Sequence, residues 1–377
     1  AGMGLNAFMA YTVVAGYGYS WQVALLAVFI EGLIFIVLSL TNIREAIFNA
    51  IPLTLKKGVS VGIGLFIAFI GLQNSGLCVD SATLVGIISF PENFHTAGIC
   101  ALLTLIGLFF TAVFYTRKMK GAILYGILLT WILGMLCQVT GLYVPTPDAG
   151  FYSLFPSWGM TDFSKLGLTF GQCFNVDFSA VGIVNFIVVI FSFLFVDIFD
   201  TLGTLIGVAT KAKMLDKDGK LPGIKPALLA DSIATSAGAI LGTSTTTTFV
   251  ESASGVAVGG RTGLTALVTG ILFLVSTLFA PIFTAIPSFA TAPALIMVGF
   301  LMVGTVTEIN FDLDNLTESI PAYLAIIAMP LFYSISEGIS LGVISYVLLN
   351  VAAGKGKKVA PLMYVLAVLF VLKYIFL

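Results

Sequence analysis

Two groups of acidic and hydroxyl side chains lie inside otherwise apolar stretches. Asp197 and Asp200 in FVDIFDTLGT, residues 195–204, are three positions apart. A helix therefore places both carboxylates near one face. A desolvated carboxylate there can bind a proton or a substrate that carries hydrogen-bond donors. A metal site built on the DxxD pattern is the alternative, and it would need cationic phosphate-binding side chains close by.

The second group is GTSTTTTFVESASGVAVGGRTG, residues 242–263. Four consecutive threonines favour extended backbone. The small residues that follow predict a short helix from about Ser252, whose first N–H groups lack intrahelical partners and are available to a ligand. Glu251 precedes that helix, where its carboxylate can accept hydrogen bonds from ring N–H or amino groups. The alternative is a helix packed closely through its small residues.

Weaker candidates lie in three other segments and within residues 242–263 themselves. In GMGLNAFMAYT, residues 2–12, Asn6 offers an amide, while Phe8 offers either a ring face for stacking or ordinary core packing. Phe249 is a second candidate for packing on a planar ligand. Asp231, in LLADSIATS, is expected to pair with another polar group, and with the other acids it is a candidate for proton coupling. Glu31 is interpreted as structural and Arg261 as a snorkelling anchor.

Composition determines what surrounds these groups. The chain has 377 residues, of which 59% are hydrophobic and 9% charged. Soluble domains carry about 25% charged residues, so the composition excludes a soluble enzyme, a disordered protein and a nucleic-acid binder. The four cysteines form no cluster typical of a metal or redox site, and the single histidine, His95, lies in a polar loop. The sequence predicts an integral membrane protein with no cofactor.

The apolar runs predict the membrane spans, each needing about 20 residues. The run 321–352 is long for one crossing and is read as two short helices that meet near Glu337, whereas 1–18 and 243–258 look like broken elements. The runs are 21–40, 59–77, 98–116, 121–139, 180–208, 226–241, 262–286, 289–308, 321–352 and 358–377.

Cations predict which ends of the spans face the cytoplasm. The stretch 141–179 has Lys165 as its single cation and is read as extracellular. Three basic segments mark the cytoplasmic side: Arg44 with Lys56 and Lys57, Arg117 with Lys118 and Lys120, and Lys211 to Lys225. A fourth, Lys355 to Lys358, is also cytoplasmic only if 321–352 crosses twice. The orientation of the last segment stays open.

The chain repeats itself. IFNAIP at 47–52 recurs as IFTAIP at 282–287, and EGLIFIVLSL at 31–40 recurs as TGILFLVSTL at 269–278. The second copy has two helices before its Thr-rich element, but the first copy starts at the corresponding element. We therefore expect two further helices to precede Ala1. Inverted repeats are typical of secondary transporters with a substrate site near the membrane midplane.

At the level of whole motifs, the sequence resembles a known transporter family. GMGLNAFMAYTVV, VDIFDTLGTLIGVA, TSTTTTFVESASGVAVGGRTGL and APALIMVGFLMVG are similar to motifs of the azaguanine-type purine permeases, within the nucleobase–ascorbate (nucleobase:cation symporter-2) superfamily. The resemblance covers the whole chain and implies an all-α polytopic protein of fourteen segments in a seven-plus-seven inverted repeat. It also implies short strands in the broken segments three and ten.

The resemblance further implies a core domain and a gate domain. The core would comprise 1–40 and 180–287, the gate 41–140 and 288–377, with 141–179 as an extracellular loop. Asp200 matches the acid of segment eight that binds the base, and Glu251 matches the acid of segment ten. Gly4 to Phe8 match the opposing strand of segment three. Ser252 and the neighbouring half-helix amides would meet acceptors of the base.

The implied function is proton-coupled import of guanine, hypoxanthine or adenine across a bacterial cell membrane. Asp200, Asp197, Glu251 and Asp231 are then the candidates for proton coupling, and the family implies a dimer through gate elements. The alternatives are a transporter of the same fold for uracil, xanthine or an anion, and an intramembrane metal-dependent enzyme that uses the DxxD pair. A carboxylate at the half-helix disfavours the anion carrier.

Overall fold

The computed structural model describes residues 5–6, 8–82, 84–177, 181–249, 251–312 and 314–376. It is largely helical, as the composition predicts. Residues Phe8–Gly16 form a π-helical segment. The helices are α1 Trp21–Leu40, α2 Ile43–Ala50, α3 Leu53–Asn74, α4 Phe90–Asn93, α5 Ile99–Thr116, α6 Ala122–Val139, α7 Ile183–Lys211, α8 Ile224–Leu241, α9 Ser252–Ala257, α10 Gly263–Leu278, α11 Ala280–Phe283, α12 Ser288–Val303, α13 Leu316–Leu331, α14 Ile335–Ala352 and α15 Pro361–Phe376.

The long apolar helices confirm a polytopic membrane protein. Among the described residues, eight helical spans are long and apolar enough to cross a bilayer, and α10, α13 and α15 are shorter apolar helices. The termini of several helices follow directly from local sequence. The Ser20 hydroxyl caps α1 by accepting a hydrogen bond from the Val23 N–H at 3.4 Å. Gly242, at φ 93°, ends α8 in the left-handed conformation that glycine adopts at little cost.

The sequence repeat falls on elements of the same kind. IFNAIP spans the end of α2 and IFTAIP the end of α11, and a long helix follows each, α3 and α12 respectively. The two copies differ in what comes next. Between α3 and α5 lies a strand hairpin, whereas α13 lies between α12 and α14.

The chain divides into two compact units, and each combines segments distant in sequence. The first contains residues 1–63, 163–250 and 305–377, and the second contains 64–162 and 251–304. Helix α3 thus contributes its first half to one unit and its second half to the other. The predicted core and gate are parts that would move against each other during transport, and this division remains a prediction.

The first unit is built around α1, which packs on α7 and α8. Its apolar core joins Val23, Ala27 and Val28 of α1 to Val189 and Phe193 of α7. A second contact joins α7 to α14 and α15. There Phe199 and Phe370 lie with ring centroids 4.3 Å apart, and a Cβ on Gly203 would lie 2.7 Å from the Ile335 side chain.

The second unit packs α12 against α5 and α6. The packing of α12 on α3 depends on small residues. A Cβ on Gly299 would lie 2.8 Å from the Ala68 Cβ and would collide with the Gly64 carbonyl oxygen. Helices in a membrane usually pack closely through small residues, because the hydrophobic effect contributes little to association between helices that are already in lipid.

Residues 321–352 form two helices, as predicted from their length. Helix α13 ends at Leu331 and α14 begins at Ile335, with Tyr333 at φ 53° between them. The helices are antiparallel, because Gly338 packs on Met329 near the turn and the Asn350 side chain reaches the Thr317 carbonyl at the far end. The Ser334 hydroxyl caps α14 by accepting from the Glu337 N–H.

Strands occur at a different place from the one that the resemblance implies. Cys78–Ser81 (β1) and Leu84–Ile87 (β2) form an antiparallel pair after α3. In segment three, Gly4 and Ala7 lie outside the described residues and the chain is π-helical from Phe8. In segment ten, residues 245–249 belong to no helix or strand among the described residues. The hydroxyls of Thr245 and Thr248 bond to carboxylates there, and the Thr246 carbonyl accepts from a hydroxyl.

The stretch read as an extracellular loop contains short 3₁₀ turns at Pro147–Ala149, Phe163–Leu168 and Gln172–Phe174. Its beginning is fixed by buried hydrogen bonds. The Trp131 indole donates to the Leu154 carbonyl at 2.9 Å, and the Tyr143 hydroxyl donates to the Tyr152 carbonyl at 2.7 Å. Burial raises the pKa of Tyr143 to about 12, so its hydroxyl remains a donor at neutral pH. His95 is exposed, as predicted, but it lies in the π-helical segment Phe94–Gly98 and not in a loop.

Candidate functional site

The acids of α7 differ in their surroundings. Asp197 is fully buried, whereas Asp200, one turn later, is half-buried. The Thr201 hydroxyl lies 3.0 Å from Asp197 Oδ1 and 3.3 Å from Asp231 Oδ2, so it links α7 to α8. Asp197 and Asp231 interact electrostatically, and Asp200 acts on Asp197 in the same way. Two of the predicted proton-coupling residues, Asp197 and Asp231, therefore lie in one polar cluster.

Arg44 supplies the positive charge of this cluster. The sequence prediction used it only as a marker of the cytoplasmic side; in the structure its side chain is fully buried within the first unit. Its guanidinium forms a 3.1 Å ion pair with Asp231 and donates to the Ser232 hydroxyl at 2.9 Å. The group also lies 4.2 Å from the centroid of the Phe35 ring. Arg44 points inward because it lies on the buried face of helix α2, together with Ile47 and Phe48.

Glu31 of α1 belongs to the same cluster. Its side chain is fully buried, and its Oε2 accepts a hydrogen bond from the Thr245 hydroxyl at 3.1 Å. Its carboxyl is also within hydrogen-bonding reach of the Asp197 carboxyl. Glu31 and Arg44 were not among the predicted site residues. Charge balance could have pointed to both residues, because the carboxylates of Asp197 and Asp231 inside a membrane require either a nearby cation or a proton. Arg44 is such a cation, and Glu31 is a further carboxyl group that can share a proton.

The threonine-rich segment lies against this cluster. The Thr248 hydroxyl is 3.4 Å from Asp231 Oδ1, and the Thr235 hydroxyl of α8 donates to the Thr246 carbonyl at 2.8 Å. The Ser244 hydroxyl bonds to the Asn6 side chain, so predicted residue Asn6 contacts segment ten within the first unit. The hydroxyls satisfy carboxylates and carbonyls that would otherwise be buried without donors.

The predicted half-helix is present as α9. It begins at Ser252, where the sequence placed its start. Glu251, directly before it, is half-buried and Ser252 is exposed; both belong to the second unit. Arg261 was predicted as a snorkelling anchor. Its guanidinium donates to the Val256 carbonyl at 2.6 Å and to the Gly260 carbonyl at 2.8 Å, and these bonds satisfy carbonyl oxygens at the end of the short helix.

The two candidate aromatic side chains differ. Phe8 is partly buried against the core of the first unit, with its ring edge-on to Phe193 at 5.0 Å between centroids. Phe249 is 42% exposed. Core packing, the alternative given for Phe8 in the sequence analysis, is thus observed.

A cavity of about 620 Å³ lies in the second unit, and no predicted site residue lines it. Gln73, Cys100, Tyr143 and Phe289 are among the residues that line it. Its lining carries no charged side chain. In the part of the chain that the structure describes, no group of three or more histidine, cysteine or acidic side chains is arranged to hold a metal ion. The acid cluster is therefore the chemically distinctive feature of the molecule.

Comparison with known proteins identifies the family. Residues 1–341 match the model of a permease family. The chain belongs to this permease family. A guanine/hypoxanthine permease of Bacillus subtilis is 48% identical over 377 residues, which cover all of this chain and 80% of that protein. A second guanine/hypoxanthine permease of Bacillus subtilis is 44% identical over 98% of this chain and 82% of its own length.

An adenine permease of Escherichia coli is 40% identical over 99% of this chain and 79% of its own length. This permease is thus a multi-pass membrane transporter and not an enzyme, which confirms the resemblance read from the motifs. The buried acids of the permease lie on α1, α7 and α8, three helices that carry or adjoin those motifs.

Proposed function

We propose that this permease imports purine nucleobases, guanine and hypoxanthine or adenine, by proton symport. The observation that carries the proposal is the similarity, over nearly the whole chain, to permeases named for those bases. The acid cluster supports it chemically, because carboxyl groups kept inside a membrane protein are expensive and serve ions, protons or substrates.

The proposed substrate residues match the chemistry of a purine. A purine base is planar, with donors and acceptors on its edges. Asp200 and Glu251 would accept hydrogen bonds from ring N–H or amino groups, and Asn6 and Ser252 would meet the remaining polar edge. Phe249, which is 42% exposed, and Phe8 would pack on the ring face. A charge-assisted hydrogen bond of this kind contributes about 1.5–3 kcal/mol.

Transport would proceed by alternating access. The core, residues 1–40 and 180–287, would move against the gate, residues 41–140 and 288–377. Protonation of a carboxyl group in the core would couple the proton gradient to substrate loading, with Asp197, Asp200, Asp231 and Glu251 as the candidates. A dimer through the gate elements is part of the same proposal.

Uptake of radiolabelled hypoxanthine by cells that express the full-length permease tests the proposal. Unlabelled guanine, hypoxanthine or adenine should compete, and a protonophore should stop accumulation. Competition by xanthine or uracil alone would instead favour a transporter of the same fold for those bases.

Glu251→Ala is the matching substitution. It should abolish high-affinity uptake, since loss of one charge-assisted hydrogen bond of about 1.5–3 kcal/mol weakens binding about 10- to 100-fold. Glu92→Gln is the control, because Glu92 is an exposed acid of α4. Unchanged purine uptake by Glu251→Ala would refute the role of Glu251.

A further inference from the structure

We propose that Glu31 and Asp197 together hold the proton that this permease carries. The inference deepens the proposed proton symport and rests on it. It assigns to Glu31 of α1, which the sequence suggested was structural, a direct part in coupling. Asp197 of α7 is its partner in a carboxyl pair that binds one proton.

The geometry of the two carboxyl groups carries the inference. Both side chains are fully buried. Glu31 Oε2 accepts from Thr245 and Asp197 Oδ1 accepts from Thr201. The other two oxygens, Glu31 Oε1 and Asp197 Oδ2, are buried and have no donor among the residues that the structure describes. Since the two carboxyl groups are within hydrogen-bonding reach of each other, one proton between them would satisfy both remaining oxygens.

The charge around the pair leads to the same conclusion. Three charged groups outside the pair act on it electrostatically: Asp200 from α7, Asp231 from α8 and Arg44 from α2. The turn at residues 172–174, which also packs on α1, adds the buried thiol of Cys173. Arg44 is the one cation in this set, and it forms its ion pair with Asp231.

Among the residues that the structure describes, neither Glu31 nor Asp197 forms an ion pair, although Arg44 also acts on Asp197 electrostatically. While the site is desolvated, two adjacent carboxyl groups share a proton rather than both being ionised, and they can release that proton only when the site opens to water. Binding one proton changes the charge of the pair from −2 to −1. Release of that proton to water restores −2, so one cycle carries one proton and no other reactant is needed.

The position of the pair connects the proton to the substrate residues. Asp197 lies one helical turn before Asp200, and Thr245 lies on the segment that leads to Glu251. A change in the charge of the pair thus acts on Asp200 electrostatically and on segment ten through the hydrogen bond of Thr245. A carboxyl pair that keeps its proton throughout transport would be purely structural, and the experiment below separates the two roles.

The test uses full-length permease reconstituted in proteoliposomes, with Glu31→Gln as the variant. Glutamine is isosteric and can still accept the hydrogen bond from Thr245, but it cannot lose a proton. Two assays are run on the same vesicles: accumulation of radiolabelled hypoxanthine driven by an imposed pH gradient, and counterflow exchange without a gradient. Glu45→Gln, a change of an acid one position after Arg44 on α2, is the matched control.

We expect Glu31→Gln to exchange hypoxanthine but to lose accumulation above equilibrium, and its exchange rate to lose the pH dependence of the wild type. Glu45→Gln should accumulate hypoxanthine as the wild type does. Uphill accumulation by Glu31→Gln equal to the wild type would overturn the role of Glu31. Absence of both accumulation and counterflow in the wild type would instead refute the proposed function, so the two failures are distinguishable.

Infrared spectroscopy gives a readout that does not depend on transport. The wild type should show the carbonyl stretch of a buried protonated carboxyl group at neutral pH, and Thr245→Val should shift that band by removing a hydrogen bond from the pair. If Glu31→Gln does not fold, these two spectra still test whether the pair holds a proton, and loss of the wild-type band when substrate is exchanged at high pH separates a carried proton from a permanent one. A wild-type spectrum without the band, or a band that Thr245→Val leaves unmoved, would overturn the inference.

Discussion

Replacement of Arg44 by methionine tests the electrostatics of the buried cluster most directly. The guanidinium is fully buried, pairs with Asp231 at 3.1 Å and donates to Ser232 at 2.9 Å and to the Leu228 carbonyl at 3.3 Å. Methionine fills much of the same volume beside Phe35 but carries no charge. Among the described residues, Asp231 then keeps neutral donors, which include the hydroxyls of Thr201 and Thr248 and the Thr248 backbone.

Removing one partner of a buried ion pair costs about 3–5 kcal/mol, because the other charge stays buried without compensation. We therefore expect Arg44→Met to lower the free energy of unfolding by that amount. A second substitution, Asp231→Asn, removes the uncompensated charge; its amide oxygen still accepts from one threonine hydroxyl, and its NH2 group can donate to the hydroxyl oxygen of the other. The double variant should thus recover about 2 kcal/mol relative to Arg44→Met alone.

The measurement is unfolding of the purified permease in mixed micelles by titration with sodium dodecyl sulfate, followed by helical circular dichroism. Arg117→Met is the control, because Arg117 is an exposed cation that follows α5 and should change stability by no more than about 0.5 kcal/mol. The reasoning is refuted if Arg44→Met behaves like Arg117→Met. It is also refuted if Asp231→Asn deepens the loss instead of reversing part of it.

Two further predictions concern packing and the loop after α6. Gly299→Val should prevent folding or severely reduce the yield of folded permease, because its Cβ would collide with α3. Gly270→Val is the control and should be tolerated, since nothing lies within 4 Å of a Cβ there. Equal yields of the two variants, measured by fluorescence-detected size exclusion, would contradict the packing of α12 on α3. Tyr143→Phe should cost about 1–2 kcal/mol at neutral pH, because it leaves the Tyr152 carbonyl without its donor. Burial raises the pKa of Tyr143 from 10.0 to about 12, so unfolded chains lose this proton first as the pH rises past 10 and the folded wild type loses stability. The advantage of the wild type over Tyr143→Phe should therefore narrow above pH 10, and a constant difference in denaturant titrations would contradict this.

Most of the secondary structure was predictable because each span is a local property of the chain. Apolar runs gave α1, α6 and α8 nearly to the residue, and the start of α9 at Ser252 followed from the change from threonines to small residues. The strand pair at Cys78–Ser81 and Leu84–Ile87 was not predicted, since the resemblance implied strands elsewhere. Short strands depend on which backbone lies opposite, and that is decided by tertiary contacts.

The candidate site was predictable in part. Asp197 and Asp231 were recognised because an acid inside an apolar span stands out in any reading of the sequence. Arg44 was not predicted as part of the site, because it lies near the end of a span, where a cation ordinarily marks the cytoplasmic side. Only the packing of α2 on the first unit turns it inward, onto Asp231 of a helix that follows almost two hundred residues later.

The sequence by itself determined that this protein is a membrane permease. A chain with so few charged residues cannot form the polar surface of a soluble protein, and its long motifs identify the family. The tertiary structure alone decided which acids share an environment. Glu31, Asp197 and Asp231 come from three helices, and whether a buried carboxyl group is paired with a cation or must hold a proton depends on neighbours a few ångströms away in space.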